Sequence, residues 1–212
     1  MTESPSRSAL GALAAGLLAL WPPVACRAQA AATGAIPIAS DEMAITREVT
    51  IPRRRAEVFD VVAAEDVLPK VLTGYGPLPA VVATSDTTWP WDRPGSARVV
   101  HLADGSTLRE QVTAYRRPGY FSYLVWAFDH PVINSLASGG RGEWIFTDVP
   151  GGTHVRWTYA FKRRSVLAGV PLWLVIHMLW RGYMDVCLAN TWRLLDSTAS
   201  RLGSRDDGPD SK

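Results

Sequence analysis

The chain has 212 residues, 22 Lys+Arg against 20 Asp+Glu, 47% hydrophobic and 20% charged residues. That balance leaves a formal net charge of +2, too small to give an electrostatic footprint for nucleic acid, and the composition is that of about one globular domain. Nine tryptophans suit a wide apolar interior or an interface, where a large aromatic surface can be buried.

Taken in order, the N-terminus reads as an export signal. Arg7 precedes an apolar run, Ala9 to Trp21, too short for a confident membrane span. Pro22-Pro23 and the small-x-small site Ala28-Gln29-Ala30 follow. This is the pattern of a signal peptide covering residues 1–30, with cleavage after Ala30 and an exported, periplasmic or cell-envelope protein as the consequence. An uncleaved anchor, or a lipidated Cys26 within Pro23-Val24-Ala25-Cys26, is the minority alternative. After cleavage only Cys187 remains, so the mature chain holds no intramolecular disulfide. Residues 31–42 read as a linker, 43–202 as one domain, and the polar tail 203–212 as disordered.

Within the domain, Met43 to Ile51 alternates as a first strand. Pro52 opens a helical pattern through Val62, and a second short helix is predicted from Asp66 to Leu72. From residue 80 the period becomes two. Strands are predicted over Ala80–Thr84, Ser96–Leu102, Thr107–Tyr115 and Tyr120–Phe128, with hairpin signals at Asp104-Gly105 and Pro118-Gly119. Asp129 to Ser138 reads as a loop and Gly139-Gly140-Arg141-Gly142 as a flexible connection, since it lacks the Lys and Ser/Thr of a phosphate loop. A last hairpin turns at Pro150-Gly151. Its register pairs Phe146 with Val155 and Trp144 with Trp157, and Tyr159 shares their face. Leu172 to Leu202 is a helix, apolar nearly all round to Trp180 and then amphipathic, with Val186, Cys187, Ala189, Trp192, Leu194 and Leu195 on its apolar side. The fold class is therefore α+β: a curved antiparallel sheet of about six to seven strands, covered by a long C-terminal helix that leaves a cavity between the two layers.

A three-residue loop at Ala103-Asp104-Gly105 places Arg98 opposite Glu110 and Val100 opposite Leu108. The next turn puts Val112, Phe121, Tyr123 and Val125 on the same side. If that side faces inward, Arg98 and Glu110 form an ion pair against an apolar interior, costly unless hydrogen-bonded or used. The candidate ligand-binding set is thus Arg98, Val100, Leu108, Glu110, Val112, Phe121, Tyr123, Val125, Trp144, Phe146, Val155, Trp157 and Tyr159. Arg98 and Glu110 read as a headgroup anchor, an acid/base pair, or a purely structural pair at the cavity rim or on the solvent face.

The four histidines have no ligand spacing, so no metal site is expected, and no cofactor motif is present. His130 beside Asp129 is a conceivable base, though Asp-His-Pro at a strand end reads first as loop chemistry, and His177 reads as a core or interface histidine. There is no nucleophile elbow, and Cys187 falls within a helix pattern. Lys162-Arg163-Arg164, the apolar run Val166 to Trp180 and Arg181 resemble a membrane-interface anchor. The alternative is a helix buried on the sheet.

Gly95-Ser96-Ala97-Arg98-Val99-Val100, Asp104-Gly105, Glu110-Gln111-Val112, Tyr123 and Gly152-Thr153-His154-Val155-Arg156-Trp157, in that order and spacing, resemble the polyketide cyclase/dehydrase and lipid-transport group of the START-like (SRPBCC, helix-grip) superfamily over roughly residues 43–200. The resemblance implies a helix-grip fold and an apolar ligand, a lipid or other hydrophobic small molecule, in the cavity between sheet and helix. A cyclase/aromatase-like enzyme with Glu110 as the acid/base group is the alternative from a different class, and a membrane-associated assembly factor is a third.

Overall fold

The computed structural model describes residues 35–203, with side chains through residue 197. The signal-peptide reading of 1–30, Cys26 and the tail beyond Gly203 lie outside the described residues. Seven strands, β1 (Glu42–Ile51), β2 (Val81–Ser85), β3 (Ala97–Leu102), β4 (Thr107–Arg116), β5 (Tyr120–Trp126), β6 (Ala137–Val149) and β7 (Gly152–Arg163), form one antiparallel sheet in the order β1-β7-β6-β5-β4-β3-β2. From β2 onward each strand pairs with its chain neighbour, and β1 closes the far edge against β7, so hairpin connections build almost the whole sheet.

Two short helices, α1 (Arg55–Val62) and α2 (Leu68–Val71), connect β1 to β2, and a third, α3 (Pro131–Leu136), connects β5 to β6. The C-terminal helix begins as α4 (Gly169–Val175), passes through one π turn (Ile176–Trp180) and continues as α5 (Arg181–Gly203). The fold is α+β with the sheet gripping the long helix, the helix-grip arrangement. Pairing follows the register read from the hairpins: Arg98 opposite Glu110, Val100 opposite Leu108, Trp144 opposite Trp157 and Phe146 opposite Val155.

Four local readings are corrected. Residues 129–138 are not all loop: Pro131 sits in the first turn of α3, and the His130 Nδ1 accepts the Ile133 amide at 3.5 Å, which caps the helix. Gly139–Gly142 is not a flexible connection but the first half of β6. On the long helix, Trp192 is half exposed, while Tyr183, Met184, Cys187, Leu188, Thr191 and Leu195 are buried. A π turn adds a residue to its turn, so it advances the buried stripe relative to a continuous α-helix; Leu172 and Ile176 before it therefore line up with Met184 and Cys187 after it. Finally, His177 is exposed and stacks on Trp173 at 4.3 Å, which overturns the core half of its reading and not the interface half.

The described part of the 31–42 stretch is held down rather than free. The Ile36 amide donates to Glu143 at 2.7 Å, and Arg141 donates to the Ile36 and Pro37 carbonyls and to Glu42. These contacts lie on the sheet's outer face, where Tyr120 also donates to Glu143 at 2.9 Å. Arg141 holds the Glu42 carboxyl below the usual carboxylate range, against the opposing effect of burial.

Candidate functional site

Alternation along the strands sends two sets of side chains inward. At one end, Phe59 of α1 packs edge-on against Phe146 and Tyr115 at 5.3 and 5.1 Å. Val112, Phe146 and Val155 belong to this solid core and line neither of the two inner cavities described next. Toward the other end the sheet and the long helix separate around an apolar cavity of about 410 Å³, within the range of small-molecule sites.

Its floor is sheet: Val100, Leu108, Glu110, Tyr123, Val125, Trp157 and Tyr159, all from the sequence-derived set. Beyond further strand positions such as Leu102 and Phe161, the rest of the wall escapes strand patterning. Leu68 and Leu72 come from α2, Pro77 to Pro79 from the loop before β2, Val132 and Ile133 from α3, and Val175, Leu179 and Trp180 from the C-terminal helix. Trp180 closes the roof by packing on Tyr159, Phe161 and Tyr183 at 4.7, 5.0 and 5.1 Å between ring centres. Burial pushes the Tyr123, Tyr159 and Tyr183 hydroxyls well above the ordinary phenol range, and the charge of Glu110 adds to the effect at Tyr123 and Tyr159. The buried Trp157 indole N–H has no hydrogen-bond partner among the described residues.

Arg98 and Glu110 are 3% and 4% exposed, so their pair is buried rather than at a rim or on the solvent face. Arg98 donates from Nε to a Glu110 oxygen at 2.8 Å, holds Nη2 2.7 Å from the same oxygen as an ion pair, donates from Nη1 to the Glu65 carbonyl at 2.5 Å, and lies 3.7 Å from the centre of the Trp91 ring. The guanidinium is thus fully engaged. It faces a side chamber of only about 30 Å³, shared with Phe121, Trp144, Cys187 and Thr191, and does not line the main cavity; Glu110 lines both. The carboxylate is therefore the polar group the pair offers to the large cavity. Burial pushes the Cys187 thiol up to about 12, which keeps it a neutral packing group. Among the described residues no cluster of His, Cys, Asp or Glu has the arrangement of a metal site.

A larger concavity, about 680 Å³, lies outside near Arg53–Glu57 and residues 148–152. Its arginines are already paired: Arg53 with Asp196, Arg54 with Glu57, Arg55 with Asp148. It is an open charged cleft without desolvated space, so the enclosed apolar cavity is the candidate site.

The family model for "Polyketide cyclase / dehydrase and lipid transport" matches residues 42–195, the sheet, the cavity and most of the long helix together. The chain belongs to this family. No curated protein matches the sequence. Among solved structures, the protein Ara h 8.0201 superposes with TM-score 0.54 at 13% identity, covering 74% of this chain and 99% of that one. A protein of Mesorhizobium loti gives 0.55 at 16% identity, covering 74% and 98%. A point mutant of a Thalictrum norcoclaurine synthase, in complex with a transition-state analogue, gives 0.57 at 8% identity, covering 77% and 99%. At these identities the likeness is one of fold, which hosts many functions. With the family it supports a hydrophobic ligand-binding role.

Proposed function

We propose that this protein binds one lipid or lipid-sized apolar molecule in the 410 Å³ cavity and exchanges it at a bilayer surface. The observation that carries the binding half is the cavity itself, walled mainly by hydrophobic and aromatic side chains with one carboxylate, Glu110, in its floor. Desolvation drives entry: burying about 200 Å² of apolar ligand at about 25 cal/mol per Å² is worth about 5 kcal/mol before the costs of ordering. Glu110, fixed by Arg98, orients a ligand hydroxyl or amine.

The bilayer half rests on α4. Val166, Leu167, Val170 and Met178 are 78%, 90%, 73% and 69% exposed, with half-exposed Trp173 among them, while Leu172 and Ile176 on the opposite side are buried. An apolar face this open, carrying a tryptophan and bordered by exposed Lys162, Arg164 and Arg181, fits an interface with anionic headgroups. No helix among the described residues is long and apolar enough to cross a membrane, so the fit is to lying on the surface. An export signal in residues 1–30 would deliver the domain to the cell envelope, where such a surface is available.

Two measurements test the halves separately. Titration with N-phenyl-1-naphthylamine should give one saturable site that Val125→Trp, which fills the cavity, abolishes without unfolding the domain; unchanged binding would place the ligand elsewhere. Sedimentation with phosphatidylglycerol-containing vesicles should be lost in Leu167→Asp/Trp173→Asp; full retention would remove the bilayer from the proposal.

A further inference from the structure

The inward face of β6 lacks side chains beside the two tyrosines of the cavity floor. Gly142 lies between Tyr123 of β5 and Tyr159 of β7 in the pairing register, and Gly140 lies one inward position away, between Val125 and Phe161. Both tyrosine rings use this gap. A β-carbon at 142 would stand 2.1 Å from the Tyr123 Cζ and 2.3 Å from its hydroxyl; one at 140 would stand 2.8 Å from the Tyr159 hydroxyl. The two rings, 6.4 Å apart, lie over a trough in the sheet rather than standing up from it. Tyr123 and Tyr159 are also cavity floor.

We infer that Gly142 and Gly140 are specificity-determining residues that set the depth of the cavity, and so the length of the apolar ligand it accepts, by letting Tyr123 and Tyr159 recline. The inference rests on the ligand-binding reading above. Its physical content is a displacement. With any L-residue at 142, the Tyr123 ring must withdraw by about 1.4 Å to reach the ~3.5 Å of ordinary carbon contact. The sheet blocks it from below, so it rises into the space the ligand occupies. The neighbouring glycines differ: Gly139 faces the opposite side, where its β-carbon would meet the Val125 carbonyl at 3.0 Å, a backbone contact with no bearing on the cavity.

The test compares wild type, Gly142→Ala and Gly142→Ala/Tyr123→Leu. N-phenyl-1-naphthylamine reports binding, and straight-chain primary alcohols of increasing length compete with it. Gly142→Ala should bind the probe at least tenfold more weakly, and its best competitor should be shorter, each excluded methylene costing about fourfold in affinity. Removing the ring in the double variant should restore the longer chain. A folded Gly142→Ala with unchanged affinity and chain-length preference, or a double variant no better than the single, overturns the inference. Should Gly142→Ala fail to fold, Gly140→Ala carries the same comparison, with Gly140→Ala/Tyr159→Phe as its relief, because there the close contact is chiefly the hydroxyl. If wild type itself binds neither probe nor alcohols, the ligand-binding reading falls and takes this inference with it.

Discussion

Removing one member of the Arg98–Glu110 pair should cost far more than removing both. Arg98→Met leaves a carboxylate of a 4% exposed residue facing two cavities without its donors. Glu110→Leu leaves a guanidinium with only the Glu65 carbonyl and the Trp91 ring. Breaking a buried pair from one side costs about 3–5 kcal/mol, whereas replacing both members with apolar groups of similar volume is often neutral. For a domain of this size each kcal/mol moves the melting temperature by about 2–4 °C, so either single variant should melt roughly 6–20 °C lower. Arg98→Met/Glu110→Leu should recover most of that loss. Urea unfolding of all four proteins closes a double-mutant cycle and gives the coupling directly. Single variants that cost under about 1 kcal/mol each, or a double variant that costs their sum, would refute the claim that these charges depend on one another.

Three further outcomes follow from other contacts. The Glu42 carboxyl, held below its ordinary range by Arg141, contributes stability that is present above the ordinary glutamate value near pH 4.3 and lost as pH falls through its folded value; the acid limb of a pH–stability curve should therefore flatten in Glu42→Gln, and an unchanged limb would contradict it. Cys187 gives the opposite limb: with its thiol raised to about 12, its stabilisation is complete below the ordinary value near pH 8.5 and declines above it, so Cys187→Ala should show a shallower loss between about pH 8.5 and 10 by urea midpoint. Gly152→Ala would put a β-carbon 2.2 Å from the Ile51 carbonyl oxygen and 2.8 Å from the Pro52 Cα; with backbone on both sides the cost should be about 2–3 kcal/mol, read by thermal unfolding, and a loss below 0.5 kcal/mol would mean that the β1–α1 corner yields.

What could be read from the sequence was what has a short period. The Asp104-Gly105 and Pro150-Gly151 turns, with strict alternation on either side, fixed the registers that place Arg98 on Glu110 and Trp144 on Trp157, because a one-residue slip would turn each strand inside out. Seven of the thirteen proposed site residues line the large cavity for the same reason. Val112, Phe146 and Val155 obey the same alternation yet fall where α1 fills the space, and where a helix crosses a sheet is a tertiary fact. The wall from Pro77 to Pro79 and from α3 has no periodic signal at all, though Pro131 after His130 was a helix-start cue in plain view. The glycines of β6 read as loosening elements because glycine usually weakens a strand; only the tyrosines on the neighbouring strands, packed across them, show why they are there.

The π turn at Ile176–Trp180 acts as a phase adjuster between two stretches of one helix with different duties. Upstream of it the chain must point Leu172 inward and Val170 out; downstream it must carry Met184, Cys187 and Leu195 along the sheet. Deleting one residue within the turn would let the hydrogen-bond ladder run uninterrupted as α-helix, and Leu172 and Met184, then eleven residues apart, would still face within about 20° of each other at about 100° per residue. The helix would keep both its open apolar face and its grip on the sheet, because the turn is where one surplus residue is absorbed. Deletion of exposed Met178 within the turn is thus predicted to be better tolerated than deletion of any one residue from the α-helical stretch that follows.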